Sequence, residues 1–505
     1  MSVGAQLEPR NNRLPIAAAL FLTLVAATFY LPWASQYPSA WTLPLSQFLT
    51  SWLNALVAQV SFVTRAFAQV AEAPLVVVTS LLVKGAEITV AGHVLHLPPL
   101  SWAGVCGAFI WLGYWGGGMR LAALQIAGCA YLLLFGQWDA AMLTLASVLV
   151  CVPIAVIVGL LLGVIAHLRP PVNQWVLSPA LDIMQTVPAF AYLIPTLLLF
   201  GFGPVAAMLT TVIFAAPPMA RVTTLVLDRA PSEIRELATM IGCSRAQAIW
   251  RVLLPSQAPT LLVGLNQTVM MTLNMVIIAS MIGAGGLGFD VLRSLRQLDI
   301  DRGFISGGAI VVLAIMLDRL SATIATRVRP DASHVATWAA SPLLPLAWLL
   351  ATTLIATQVT SLATFPTELR LSTGGAFNAL VGWINVNYFD AMETLRVFTV
   401  RNLMNPIKFA LADTPWLLLA GGVTLAAYLV AGVRLALLSA LVLGFCLVTG
   451  LWDKVMITLY LCLSATFISA MIGIQSPSSR HATTCSIAVP IFSSSYCKRC
   501  RASST

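Results

Sequence analysis

Apolar runs long enough to cross a lipid bilayer constrain the fold of this chain more than any other feature of its sequence. A helix needs about 20 apolar residues to span the hydrocarbon. Such runs lie at about 14–34, 100–117, 119–136, 140–166, 181–201, 204–224, 258–281 and 304–323. A further set follows at about 342–363, 415–432, 434–450 and 455–474. Hydrocarbon offers no hydrogen-bond partners, so each run must satisfy its own backbone, and the expected fold class is all-α and polytopic. Composition agrees: 59% of the residues are hydrophobic and 9% charged, against roughly a quarter charged in soluble domains. A soluble enzyme and a disordered scaffold are excluded. Between 35 and 98 polar and apolar residues alternate, and 52–70 reads as an interfacial or extracytoplasmic helix.

The net charge of +9 belongs to membrane topology. No Lys/Arg-rich run with interleaved aromatics is present, so nucleic acid is not an expected partner; membrane lipid is. Cytoplasmic loops of membrane proteins collect Lys and Arg. With the N-terminus inside, the span count puts Arg10 and Arg13, Arg120, His167 with Arg169, the five arginines Arg221, Arg229, Arg235, Arg245 and Arg251 before Pro255, and Arg319, Arg327 and Arg329 all on the cytoplasmic side. The loop 284–303 dissents with Arg293, Arg296 and Arg302, offset by Asp290, Asp299 and Asp301. Nine cysteines are scattered, several inside apolar runs where a thiol behaves as a small hydrophobe. The five histidines form no cluster with zinc spacing beyond the weak His93/His96 pair, and Cys497-x-x-Cys500 stands without a second pair. No metal site is expected.

An internal repeat organises the rest. Trp138-Asp139-x-x-Met142-x-Thr144-Leu145 recurs as Trp452-Asp453-x-x-Met456-x-Thr458-Leu459, at an offset of 314 residues. Trp102/Trp416, Arg120/Arg434, Gly136/Gly450 and Gly159/Gly473 keep the same register. The repeat is parallel. Its second unit begins with its own apolar stretch, so the first span is expected to be retained and not cleaved as a signal. Four regions follow: 1–98, an N-terminal span with an extracytoplasmic segment; 99–327, a complete transmembrane domain with a cytoplasmic loop at 225–256; 328–474, a truncated second repeat; and 475–505, a disordered or non-native tail rich in Ser, Cys and Arg. The second unit's counterpart of the 225–256 loop would fall beyond Thr505, which implies that the chain works with a second copy.

No phosphate-binding Gly-Lys-Ser/Thr occurs, so ATP hydrolysis is not expected of this chain. Gly283-Ala284-Gly285-Gly286-Leu287-Gly288 formally matches a dinucleotide-binding pattern. It follows a membrane helix instead of a strand and fails the structural requirement; a tight exit from a span, where positive φ and close approach are needed, suits Gly283, Gly285, Gly286 and Gly288 better. The informative loop is 225–256. Pro231 suits a first helical position and Glu233 its positive end. Glu236-Leu237-Ala238-x-x-x-Gly242, nine residues, then Val252-x-Leu254-Pro255 reads as a short amphipathic helix, a Gly turn and a second helix. Physically this is a compact knob, or equally a pair of interfacial helices anchored by arginines such as Arg245. In span 258–281, Asn266, Gln267, Thr268, Thr272 and Asn274 are polar at bilayer depth. Interhelical glue and lining of a water-filled path are equally good readings.

These residues resemble a known family. Glu-x-Ala-x3-Gly-x9-Val-x-Leu-Pro looks like the signature loop of binding-protein-dependent ABC importer permeases, with Leu237 and Val252 as conservative departures. Asp182-Ile183-Met184-Gln185-Thr186-Val187-Pro188, Tyr192-Leu193-Ile194-Pro195, Asn266-Gln267-Thr268 and Val276-Ile277-Ile278-Ala279-Ser280-Met281-Ile282 resemble the permeases of glycine betaine, proline betaine and choline importers. The resemblance covers 100–325 strongly and 342–474 as a partial second copy. It implies a type I importer fold in a bacterial inner membrane. Glu236, Leu237, Ala238, Gly242, Arg245, Val252, Leu254 and Pro255 would dock on a cytoplasmic ATPase that holds the ATP and Mg2+. A periplasmic or extracellular solute-binding protein would deliver substrate. Gln185, Thr186, Pro188, Asn266, Gln267, Thr268, Thr272, Asn274 and Ser280 are the candidate path residues. An ion-coupled secondary transporter and a membrane sensor or assembly protein are the alternatives.

Overall fold

The computed structural model describes residues 13–30, 37–43, 45–90, 93–327, 343–356, 358, 365–371 and 375–482. They divide between two units, Asn54–Ile384 and Met1–Leu53 with Asn385–Thr505. Among the described residues seven helices are long and apolar enough to cross a membrane, or up to nine if each of two sharply bent pairs counts as one span.

Small residues decide the closest packing in the larger unit. Helix α4 (Trp138–Leu168) lies along α7 (Pro204–Asp228) over most of its length. A Cβ on Gly163 would stand 2.7 Å from the Ala220 carbonyl oxygen, and one on Gly159 would stand 2.8 Å from that of Ala216. Without a hydrophobic drive between helices in lipid, such close backbone approach supplies the van der Waals energy of association. On the same α7 packs α10 (Ala258–Ala279), which in turn meets α12 (Ile300–Arg327).

Helix α3 (Trp102–Leu134) is a hairpin of two short helices. Gly118, at φ 69° and ψ −157°, folds the chain back so that a Cβ on Gly113 would touch the Gln125 side chain at 2.8 Å. The Gln125 amide nitrogen donates to the Met316 carbonyl of α12 at 3.2 Å, and the Tyr131 hydroxyl donates to Ile305 at 3.1 Å.

These contacts orient the unit. The ends of α4 and α7 meet where His167 Nδ1 lies 2.6 Å from Asp228 Oδ1. The Gly116–Gly118 turn lies against Thr323 near the end of α12. Arg120, Arg169, the 229–257 loop and Arg319 therefore share one end, as positive-inside counting requires. At the other end the Leu287 N–H donates to Thr144 Oγ1 at 3.0 Å, which places 284–299 opposite. There burial raises the Asp290 carboxyl above its ordinary value, with the Arg293 guanidinium working against the shift.

Several expectations need correction. The stretch read as an interfacial helix at 52–70 belongs to α2 (Leu45–Thr79), which continues through a π-helical turn at Ser80–Lys84. Thr50–Lys84 meets the length and hydropathy of a span, because the apolar run at 73–83 joins the mixed one without a break at Pro74. Among the described residues one β-hairpin, β1 (Ala86–Val90) with β2 (His93–Leu97), interrupts the helices. The span expected at 181–201 is broken: α5 (Ser178–Thr186) and α6 (Ala189–Phe200) belong to a pair bent by 106°. Val187 is extended there, as a residue before proline tends to be. Of the span expected at 342–363 the described residues form α13 (Leu343–Ala356), which packs on α3 in the larger unit; 342, 357 and 359–363 lie outside the described residues.

The smaller unit repeats the hairpin. After α14 (Ala376–Asn387, across the unit boundary), α15 (Phe389–Thr399) and α16 (Asn405–Ala412) come α17 (Trp416–Ala431) and α18 (Val433–Val448), joined at Gly432 with φ 79° and ψ −165°. Gly450 has φ 68° against 67° for Gly136. The last helix, α19 (Trp452–Ala482), keeps both bounds of α4 at the offset of 314. It runs through 474/475, where the sequence suggests the start of a tail; 483–505 lie outside the described residues.

Candidate functional site

The 229–257 loop folds as the knob. Pro231 precedes α8 (Ser232–Met240), with Glu233 in the first turn. Gly242 ends it at φ 75°. The Gly242 N–H donates to Thr239 O and the Cys243 N–H to Ala238 O, both at 3.0 Å, the paired bonds of a Schellman cap. The next helix, α9 (245–256), starts at once: Ser244 and Gln247 form a reciprocal capping box, with bonds of 3.3 and 2.9 Å. A π-helical turn at Ala248–Leu253 leads into Leu254–Ser256.

The underside of the knob is apolar. Ile249, Leu253 and Leu254 are buried with Val164, Leu227 and Ala230, and Ile234 packs on them; Ala238 is buried as well. Arg235 ties the knob to α7 by donating to the Leu227 and Asp228 carbonyls at 2.6 and 2.8 Å. These are last-turn acceptors that the helix itself leaves open. The outer face holds Glu236, Gly242, Arg245 and Pro255, all exposed, with Val252 half-buried. It also shows large apolar side chains to solvent: Leu237, Ile241, Trp250 and Met240, the last 85% exposed. Apolar surface concentrated in this way is typical of interaction sites. Met240, Ile241, Trp250 and Arg235 were absent from the sequence-derived set; the amphipathic spacing of α8 was the signal available for the first two.

The candidate path residues separate into two groups. Thr268, Thr272 and Ser280 do not face open space, which corrects their assignment. Each is at most 1% exposed, and their hydroxyls donate to Gly264, Thr268 and Ile277 carbonyls at 2.7–2.9 Å. Helical hydroxyls bonded back to their own turn need no other partner. Asn266 accepts from Ser321 Oγ at 2.7 Å and joins α10 to α12, the glue reading. Gln267 and Asn274 lie exposed on one stripe with Val263, Met270 and Met271. Gln185, Thr186 and Pro188 are also exposed, beside the bend. The bend is held by Tyr192, whose hydroxyl donates to Met184 O at 2.7 Å, and by an ion pair between Arg221 and Asp182.

The glycine exit follows α10. Gly283, Gly285 and Gly286 have φ of 117°, 72° and 90°. Gly288 is helical, but a Cβ there would collide with Ile277 O and Ser280 Oγ. No group of three or more metal-binding side chains occurs among the described residues.

A polytopic helical unit with basic loops at one end, and there a capped knob with an apolar outer face, fits an inner-membrane transport subunit. Residues 159–330 match the family described as binding-protein-dependent transport system inner membrane component. The chain is 32% identical over 475 residues to the trimethylamine N-oxide transport system permease TmoV of Ruegeria pomeroyi, covering 91% of this chain and 70% of that protein. It belongs to this family of transport permeases. The glycine betaine/proline betaine transport system permease ProW of Escherichia coli is 43% identical over 186 residues, 37% of this chain and 52% of that one. A chain of the inward-facing MetNI methionine ABC transporter aligns over 37% of this chain and 93% of its own length, with 23% identity and a TM-score of 0.34. The chain thus spans 70% of the first of these relatives and about half of the second.

Proposed function

We propose that this chain is the permease of an importer for small N-methylated, net-neutral solutes, the chemistry shared by glycine betaine and trimethylamine N-oxide. A separate ATPase drives it through the knob, and a solute-binding protein supplies its substrate. The observation that carries the reading is the exposed stripe of α10. Across Ala258–Ala279 there is no charged residue, and the open side chains are amides, thioethers, a valine and the Thr260 hydroxyl. Such a surface gives a zwitterion weak dipolar and dispersive contacts. It offers no full charge to trap a quaternary ammonium or a carboxylate, and passage requires sites weak enough to leave. Tight selection then rests with the binding protein.

The exposed stripe is a surface without cover in one copy, and it fits a second permease unit across the path. Glu236, Leu237, Met240, Ile241, Gly242, Arg245 and Trp250 form the ATPase-facing surface. Reconstitution with candidate ATPase and binding proteins tests the assignment. Hydrolysis should rise several-fold when the binding protein carries glycine betaine or trimethylamine N-oxide, and should stay at its basal rate with taurine or methionine. Equal stimulation by all four would refute the substrate class.

A further inference from the structure

Two charges sit in a stretch that is otherwise uncharged, and they meet. Across residues 178–227, which make α5, α6 and all of α7 but its last residue, Asp182 and Arg221 are the only charged side chains. Their carboxylate and guanidinium form an ion pair between α5 and α7. Asp228 lies at the cytoplasmic end of α7, so Arg221 is set about 10 Å inward at 1.5 Å per residue. A charge at that depth faces protein or a water-filled cavity and not hydrocarbon. Both partners are nevertheless exposed in one copy, Asp182 at 61% and Arg221 at 43%. Their open side is therefore the wet one, and Gln185, Thr186 and Pro188 lie exposed on the same short stretch.

The two halves of the broken span are held on one face of α7 by unequal bonds. Thr210, Phe214 and Arg221 share that face, because steps of four and eleven residues bring a helix back to it. Thr210 Oγ1 lies 2.6 Å from Thr196 Oγ1 of α6, and this pair is buried. Phe214 meets Tyr192 of α6 edge-on, with ring centroids 6.2 Å apart. To α5 the same face offers the ion pair, and Leu181 is the one buried side chain of that helix. The Tyr192 bond to Met184 O sits one turn from the bend, where a pivot displaces α5 least. An exposed ion pair is weak, since water competes for both charges. Thus α6 is fixed and α5 is releasable.

Helix α7 is divided in the same way. Pro217 and Pro218 lie inside it, two successive residues without an N–H to donate, and a helix is weakest at such a place. Thr210 comes before the prolines and Arg221 after them. Arg221 thus shares its stretch of α7 with Leu227 and Asp228, whose carbonyls accept from Arg235 of the knob.

We propose that Asp182 and Arg221 form the latch of a gate at the cytoplasmic mouth of the path, with α5 as its leaf and Val187–Pro188 as its hinge. Movement of the knob, carried along α7 beyond Pro218, makes and breaks the pair while α6 stays in place. The latch rests on the reading of this chain as a permease driven through the knob.

Leu181→Cys reads the leaf in the full chain, in vesicles that present the cytoplasmic face. A membrane-impermeant maleimide, followed at residue 181 by mass spectrometry, should react slowly. Adding Asp182→Asn or Arg221→Gln should raise the rate several-fold, and Asp182→Arg combined with Arg221→Asp should restore it. Leu193→Cys, buried on α6, should stay slow throughout. Should Leu181→Cys not fold, Met184→Cys on the next turn reads the same leaf. Equal rates with and without the pair would overturn the latch, and so would a rise at residues 181 and 193 alike, which means general loosening. With the ATPase bound and hydrolysing ATP, basally or stimulated, labelling at residue 181 should exceed the nucleotide-free rate. A rate unmoved by hydrolysis would make the pair a static brace and sink the proposal. Neither measurement depends on which solute stimulates hydrolysis, so failure of the substrate class leaves the latch decided on its own.

Discussion

Gly242 shows what a single residue decides here. Its φ of 75° closes the cap of α8, yet nothing lies within 4 Å of where its Cβ would be. The demand is conformational and not steric. A left-handed conformation costs an ordinary L-residue roughly 1–2 kcal/mol, and asparagine less. Gly242→Asn should therefore keep most uptake, whereas Gly242→Val, whose branched side chain is worst suited to positive φ, should uncouple transport. Both proteins should reach the membrane at normal levels, and ATPase co-purification should fall for the valine variant alone. Equal loss in both would mean that the surface, and not the turn, is what matters.

Among the elements, the α4–α7 pair depends on its glycines. A side chain on Gly163 must displace the Ala220 carbonyl or Thr223, both within 2.7 Å of its Cβ position. Backbone cannot yield cheaply, and overpacking of this kind costs about 1–3 kcal/mol. Gly163→Leu should lower the unfolding temperature in detergent, with Gly163→Ala intermediate. Gly382→Leu is the control, since no atom lies within 4 Å of its Cβ position, and it should leave that temperature unchanged. Because His167 and Asp228 close the same helix pair beneath the knob, a parted α4–α7 should also weaken coupling.

At the scale of the whole molecule, the proposed function sets a second permease unit over the open stripe on α10. With two differently tagged copies, Asn274→Cys should form an oxidised dimer in membranes. Val311→Cys on α12, 56% exposed and on another helix, should not. Cross-linking at both positions would point to random collision, and at neither to a path that does not lie between copies.

Much of this was legible in the residues themselves. Length and hydropathy locate helices because hydrocarbon forces the backbone to pair internally. The offset of 314 identifies the repeat because Trp, Asp and Arg in fixed register are not interchangeable apolar filler. The motif from Glu236 to Pro255 marks the knob, since its caps depend on local residue types. Sequence could not show which hydroxyls of α10 were already bonded to their own helix. Thr268 and Asn274 are both polar at similar depth, and only the rotation of the helix against α7 separates them. Nor could it show that 343–356 packs on the first hairpin while 13–30 packs on the second. Both segments are short apolar helices, and only packing in three dimensions makes the choice.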